Sequence, residues 1–213
     1  MTALTHACES WDKPIDRAWA SSETRPNFVR LLLEKKANTE AAADEGRTPL
    51  HYLCRGGHLD GVKMLLEKKA YINAADIYGQ TSLHFACREG RLDMVEMLLE
   101  KKANINAADK HGMTALTHAC ESWDKPIDRA WASSETRPNF VRLLLEKKAN
   151  TEAAADEGRT PLHYLCRGGH LDGVKMLLEK KAYINAADIY GQTSLHFACR
   201  EGRLDMVEML LEK

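Results

Sequence analysis

Apolar residues fall in short clusters that come back at a fixed step. Between residues 48 and 70 the pattern is complete. Thr48 stands where a helix N-cap belongs, and Pro49 follows at the first helical position, where its missing N–H costs nothing. Leu50, Leu53 and Cys54 then give a short apolar face, and Gly56-Gly57 stops that helix. Leu59, Val62, Leu65 and Leu66 recur three or four apart, which predicts a second helix over 59–68 with one apolar stripe. Ala70-Tyr71-Ile72-Asn73-Ala74-Ala75-Asp76 reads as a short extended arm, and the turn-former Gly79 lies close behind.

This pattern is periodic on two scales. Gly46-Arg47-Thr48-Pro49-Leu50-His51 aligns with Gly79-Gln80-Thr81-Ser82-Leu83-His84 at a step of 33, and Gly112-Met113-Thr114-Ala115-Leu116 follows after 33 more. The next match, Gly158-Arg159-Thr160-Pro161-Leu162-His163, comes after 46, so that unit carries 13 extra residues. The three steps make a long period of 112, and residues 1–101 recur unchanged as 113–213. One array over 1–213 is expected, with units at about 1–42 (truncated, with the insertion), 43–75, 76–108, 109–154 (with the insertion), 155–187 and 188–213 (truncated). A single unit cannot bury its own stripe, so the units must stack.

The 33-residue period, Arg47-Thr48-Pro49-Leu50-His51, Gly57-His58-Leu59-Asp60 and Val62-Lys63-Met64-Leu65-Leu66-Glu67 together resemble the ankyrin repeat. The resemblance covers the whole chain. It implies an all-α solenoid of stacked helix–turn–helix units with projecting β-hairpin-like finger turns, and a protein partner on the concave side. Two departures stand out. Lys36, Lys69, Lys102, Lys148 and Lys181 occupy the place after the second helix where the family usually has a left-handed Gly. Gly61 and Gly173 sit inside the second helix, each at a cost of ~1 kcal/mol relative to Ala.

Composition narrows the function classes. Thirty Lys and Arg against 31 Asp and Glu give a net charge of −1, which removes the global basic footprint of a nucleic-acid binder. No apolar run approaches ~18 residues, so membrane insertion is not expected. The first residues lack the charged head and apolar stretch of a signal peptide.

Catalytic, metal and cofactor chemistry finds no support. There is no phosphate-binding Gly loop, no Gly-x-Ser-x-Gly and no His-Glu-x-x-His, so no enzyme activity and no cofactor is expected. His51-x-x-Cys54 and His84-x-x-Cys87 offer two ligands each, too few for a structural zinc site. By resemblance those histidines hydrogen-bond between units. The six cysteines, Cys8, Cys54, Cys87, Cys120, Cys166 and Cys199, hold one place in their units. Stacked helices lie ~8–10 Å apart, beyond disulfide reach, so free thiols and an intracellular, cytoplasmic setting are expected.

Partner-binding candidates follow from the irregular and projecting positions. All four tryptophans, Trp11, Trp19, Trp123 and Trp131, lie in the two copies of the insertion. Two roles are open to them: packing within their own loop, or a partner-facing protrusion. The finger turns carry Ile77-Tyr78, Ile189-Tyr190 and Lys110-His111 before the turn glycines. By resemblance these residues, and Arg55, Arg88, Glu89, Arg167 and Arg200 just after the first helix, often contact the partner; for Ile77-Tyr78, apolar where exposure is expected, packing against the next finger is equally open. The same resemblance marks the arm asparagines Asn73, Asn106 and Asn185 as hydroxylation substrates, whereas Glu40 and Glu152 stand at that place in the other two units. The Glu-Lys-Lys run at each second-helix end complements the helix dipole. The periodic ends also suggest head-to-tail self-association. A regulatory or targeting module of a larger enzyme or channel remains an alternative reading, as does an engineered concatemer.

Overall fold

The computed structural model describes residues 2–12, 24–124 and 136–213. These carry twelve α-helices and no strand, only the isolated β-bridges Ala75–Thr81 and Ala187–Thr193. The described residues separate into two compact bodies, Met1–Asn104 and Ile105–Lys213. The first holds α1 (Ala3–Glu9), α2 (Thr24–Glu34), α3 (Pro49–Gly56), α4 (Leu59–Glu67), α5 (Ser82–Arg88) and α6 (Leu92–Glu100). The second holds α7 (Ala115–Glu121), α8 (Thr136–Glu146), α9 (Pro161–Gly168), α10 (Leu171–Glu179), α11 (Ser194–Arg200) and α12 (Leu204–Leu211).

Within each body the helices pair and stack. In the first, α1 packs on α2, α3 on α4 and α5 on α6, while α1, α3 and α5 stack in a row and α2 lies on α4. The second repeats this with α7, α9 and α11 in a row and α8 on α10. Leu50, Leu53, Val62 and Leu65 are 0–1% exposed, so the stripe read from the sequence is the face that makes the core. Each such side chain contributes roughly 1.5–3 kcal/mol by leaving water.

Local chemistry fixes both ends of each helix. Thr48 caps α3, with Pro49 at its first position and Gly57 closing it in the left-handed region at φ 78°. The Thr48 N–H donates to His51 Nδ1 at 3.0 Å, and His51 Nε2 reaches the Gln80 carbonyl of the next unit at 3.1 Å. One ring therefore caps its own helix and ties it to its neighbour. His163 repeats both bonds, to Thr160 N and the Gln192 carbonyl. Burial is the main cause that lowers both ring pKa values below the ordinary histidine value.

The second helices end on a strained residue. The Ala70 N–H donates to the Leu65 carbonyl and the Lys69 N–H to the Leu66 carbonyl, both at 3.0 Å, a Schellman closure. Such a closure needs a left-handed residue, and here Lys69 supplies it at φ 65°. Lys36, Lys102, Lys148 and Lys181 do the same at φ 59–66°. Each costs ~1 kcal/mol relative to glycine.

Gly61 and Gly173 sit where a side chain has little room. A Cβ built on Gly61 would lie 2.8 Å from Leu53 Cδ1 and 3.3 Å from Trp11 Cη2. At Gly173 the distances are 2.8 Å to Leu165 Cδ1 and 3.1 Å to Trp123 Cζ3. The expected propensity cost is real, but the missing side chain is the recess into which a neighbouring unit's tryptophan packs.

Candidate functional site

The finger turns are held from both sides. Asp76 Oδ1 accepts the N–H groups of Tyr78 and Gln80 at 2.9 Å, and the Asp76 N–H donates to the Gln80 carbonyl. Ile77 N–H then donates to the Glu45 carbonyl of the preceding finger at 2.9 Å. In the second body Asp156 N–H bonds the His111 carbonyl and Ile189 N–H the Glu157 carbonyl. Neighbouring fingers therefore form a backbone ladder, although only isolated bridges qualify as sheet. On this framework Ile77 and Tyr78 are 51% and 42% exposed, and Ile189 and Tyr190 are 68% and 65% exposed. A ladder that fixes the backbone leaves little for these side chains to lose on meeting a partner.

The arginines after the first helix are also pre-positioned. Arg88 lies 4.8 Å above the Phe85 ring, and Arg47 lies 5.2 Å from the same ring. Phe85 itself is buried, so it anchors two guanidinium groups. Arg88 Nη1 reaches Gln80 Oε1 at 3.3 Å, and its Nε lies 3.7 Å from Glu89 Oε1. Arg47 pairs with Glu45 at 2.6 Å and faces Asp76 at 3.5 Å. Finger and helix end thus share one polar network. Arg159, Phe197 and Arg200 repeat the sandwich in the second body. Arg55 and Arg167 stack on Tyr52 and Tyr164. Each such contact is worth ~0.5–1 kcal/mol at an exposed site.

The unit with the insertion has its own finger chemistry. His111 Nδ1 lies 2.6 Å from Asp156 Oδ2, and Lys110 is exposed beside it. Asp109, buried at the finger base, accepts the N–H groups of His111 and Met113 and faces His118 Nε2 at 3.3 Å. Burial pushes its carboxyl pKa up, but the His118 bond and the two backbone N–H bonds outweigh it and hold the pKa at about 2.

The tryptophans adopt an arrangement that neither sequence reading offered. Trp11 is only 9% exposed and stacks on His58 of the next unit, 4.8 Å between ring centroids. Trp123 does the same on His170 at 5.1 Å. Both fill the recess over a second-helix glycine. Trp19 and Trp131 lie outside the described residues, as does most of the insertion.

On the arms, residue type proves to matter less than acceptor geometry. Asn73 Oδ1 takes the Asn104 N–H at 2.8 Å, and Asn106 Oδ1 takes the Asn150 N–H at 2.8 Å. Glu40 and Glu152, at the equivalent place, accept the Tyr71 and Tyr183 N–H groups at 2.9 and 3.0 Å. Asn106 and Asn185 are exposed and Asn73 is half-buried.

Burial pushes the thiols of Cys8, Cys54 and Cys166 up to about 12 and those of Cys87 and Cys120 higher still. All six are free, and Cys199 alone is exposed. Among the described residues no group of three or more His, Cys, Asp and Glu is placed to hold a metal. No helix among them is long and apolar enough to cross a membrane.

Comparison with known families gives two matches. The family model described as ankyrin repeats (3 copies) matches residues 130–213. The model described as ankyrin repeats (many copies) matches 18–66, 50–99 and 83–124. No curated protein matches the chain.

Proposed function

Because the chain belongs to the ankyrin-repeat family, whose repeats are in general protein–protein interaction modules, we propose that it is a scaffold that binds a protein partner through its fingers and the arginines beside them. The observation that carries this reading is the exposure of Ile77-Tyr78 and Ile189-Tyr190 on turns whose backbones are already hydrogen-bonded. Aromatic and branched residues on a fixed backbone suit a binding hot spot. Arg88 and Arg200, held over buried phenylalanines, supply oriented guanidinium groups for partner carboxylates or carbonyls. Trp11 and Trp123 pack between units, so of these described candidates the fingers are the ones free to make contact. The copied cassette offers this surface twice, so a monomeric partner binds at two per chain.

The test is one combined variant read in two ways. Ile77→Ser, Tyr78→Ser, Ile189→Ser and Tyr190→Ser together change only exposed side chains. They should abolish recovery of the partner in a quantitative pull-down while leaving the melting temperature within a few degrees. Recovery at wild-type levels refutes the finger surface.

A further inference from the structure

A second surface lies at the ends of the second helices. Five of these six helices, all but α12, close on two lysines, the second in the left-handed region. In the first body these are Lys35-Lys36, Lys68-Lys69 and Lys101-Lys102, all exposed. Lys147-Lys148 and Lys180-Lys181 continue the pattern in the second body. Glycine would relieve the backbone strain at every one of these positions, yet lysine stands at all five. Strain of this kind, held repeatedly at one register, is an observed outlier that points to a use for the side chain. Completing the helix dipole does not account for it, because the lysine before each strained residue already places a cation at the helix end.

The charge is available. Among the described residues none of these lysines is ion-paired, whereas Lys63 within α4 pairs with Asp60 at 3.8 Å. Glu34, Glu67 and Glu100 precede each pair directly, but adjacent side chains on a helix do not face one another. In the second body a groove of about 380 Å³ opens between successive helix ends, lined by Glu146, Lys148, Ala149, Asn150 and Lys180 among others.

We propose that the di-lysine ridge of each body is a second interaction surface, separate from the fingers, and that its occupant is an extended acidic polypeptide segment. Spacing supports an extended chain. Packed helices lie ~8–10 Å apart, which equals about three residues of extended backbone at ~3.3 Å each. A carboxylate at roughly every third residue therefore meets one lysine pair per unit. A chain of net charge −1 lacks the broad basic footprint that a nucleic-acid backbone requires.

The experiment uses the full chain and a fluorescent oligoglutamate, read by anisotropy at low ionic strength and again near ~0.15 M salt. The variant is Lys36→Gly, Lys69→Gly, Lys102→Gly, Lys148→Gly and Lys181→Gly combined. It removes five charges and relieves five strained residues, so it should weaken oligoglutamate about tenfold while raising the melting temperature. Wild-type binding should also weaken with salt. Unchanged affinity in the variant, or salt-insensitive binding, overturns the proposal. So does a lower melting temperature, which makes the lysines structural. Equal or tighter binding of an oligodeoxythymidine or of phosphatidylserine vesicles assigns the ridge to another class of partner and overturns it as well.

Discussion

Alanine at Gly61 and Gly173 sets two effects of similar size against each other. Helix propensity favours the substitution by ~1 kcal/mol per site, since glycine carries the larger entropy loss on folding. Packing opposes it. The new methyl would lie 2.8 Å from Leu53 Cδ1 at residue 61 and 2.8 Å from Leu165 Cδ1 at residue 173. Carbon atoms prefer ~3.5–4.0 Å, so each contact is well inside the repulsive wall. Leu53 and Leu165 are fully buried, so neither can swing into solvent. On the far side Trp11 and Trp123 close the recess at 3.3 and 3.1 Å. Overpacking of this kind costs typically ~1–3 kcal/mol. The balance is a loss of up to ~2 kcal/mol per site. Urea denaturation followed by far-ultraviolet circular dichroism measures it, and the same substitution in a Trp11→Ala, Trp123→Ala background isolates the coupling. There the alanine should cost less, because one wall of the recess is gone. A gain of ~1 kcal/mol per site in the tryptophan-containing chain would show that propensity wins and that the recess is not tight.

Three further outcomes are expected. Asp109 has its folded-state pKa held at about 2 against ~3.9 unfolded, so its contribution is present above pH ~4 and is lost as pH falls toward 2; Asp109→Asn should flatten that part of the stability–pH curve, and an unchanged curve would refute the assignment. His51 and His163 are lowered chiefly by burial, so the unfolded chain takes up protons first and stability should fall as pH drops below ~6.5; a melting temperature flat from pH 7 to 5 would contradict this. Ellman titration should count six thiols in denaturant without reductant, and one fast-reacting thiol, Cys199, in the native chain; fewer than six would indicate a disulfide.

Most of the fold was legible because its signals are local. Thr48-Pro49, Gly57 and the spacing of Val62, Leu65 and Leu66 each act within a few residues, and the structure places them as that reading requires. The left-handed lysines were legible too, since position after the helix, more than residue type, decides the backbone there. The tryptophan role was not, because it depends on a recess 50 residues away, at Gly61 for Trp11. The sequence carried one overlooked pointer: glycine inside a helix, in the unit that follows each insertion, where Met94 and Phe140 stand in the other complete units. Treated alone it looks like a defect, and only its pairing with the tryptophan explains it. The arginine stacks carried a pointer as well. Tyr52 and Arg55, and Phe85 and Arg88, lie three apart on one helix, a spacing that brings side chains together. The arm positions carry a second role that the modification reading left out. Asparagine and glutamate look unlike as modification substrates, yet both offer the oxygen that the next arm's N–H needs.

The tryptophan-over-glycine fit restricts how such an array can grow. A recombination event that slipped by a single unit would set Trp11 or Trp123 against methionine instead of glycine, with no space left to accept an indole. A slip by two units would bring the phenylalanine position, Phe28 or Phe140, under the same ring. What has to be copied together is therefore the insertion unit and the glycine unit behind it. Arrays built from this cassette can change their number of methionine units singly, whereas the indole-bearing unit and its glycine partner should be gained or lost as a pair.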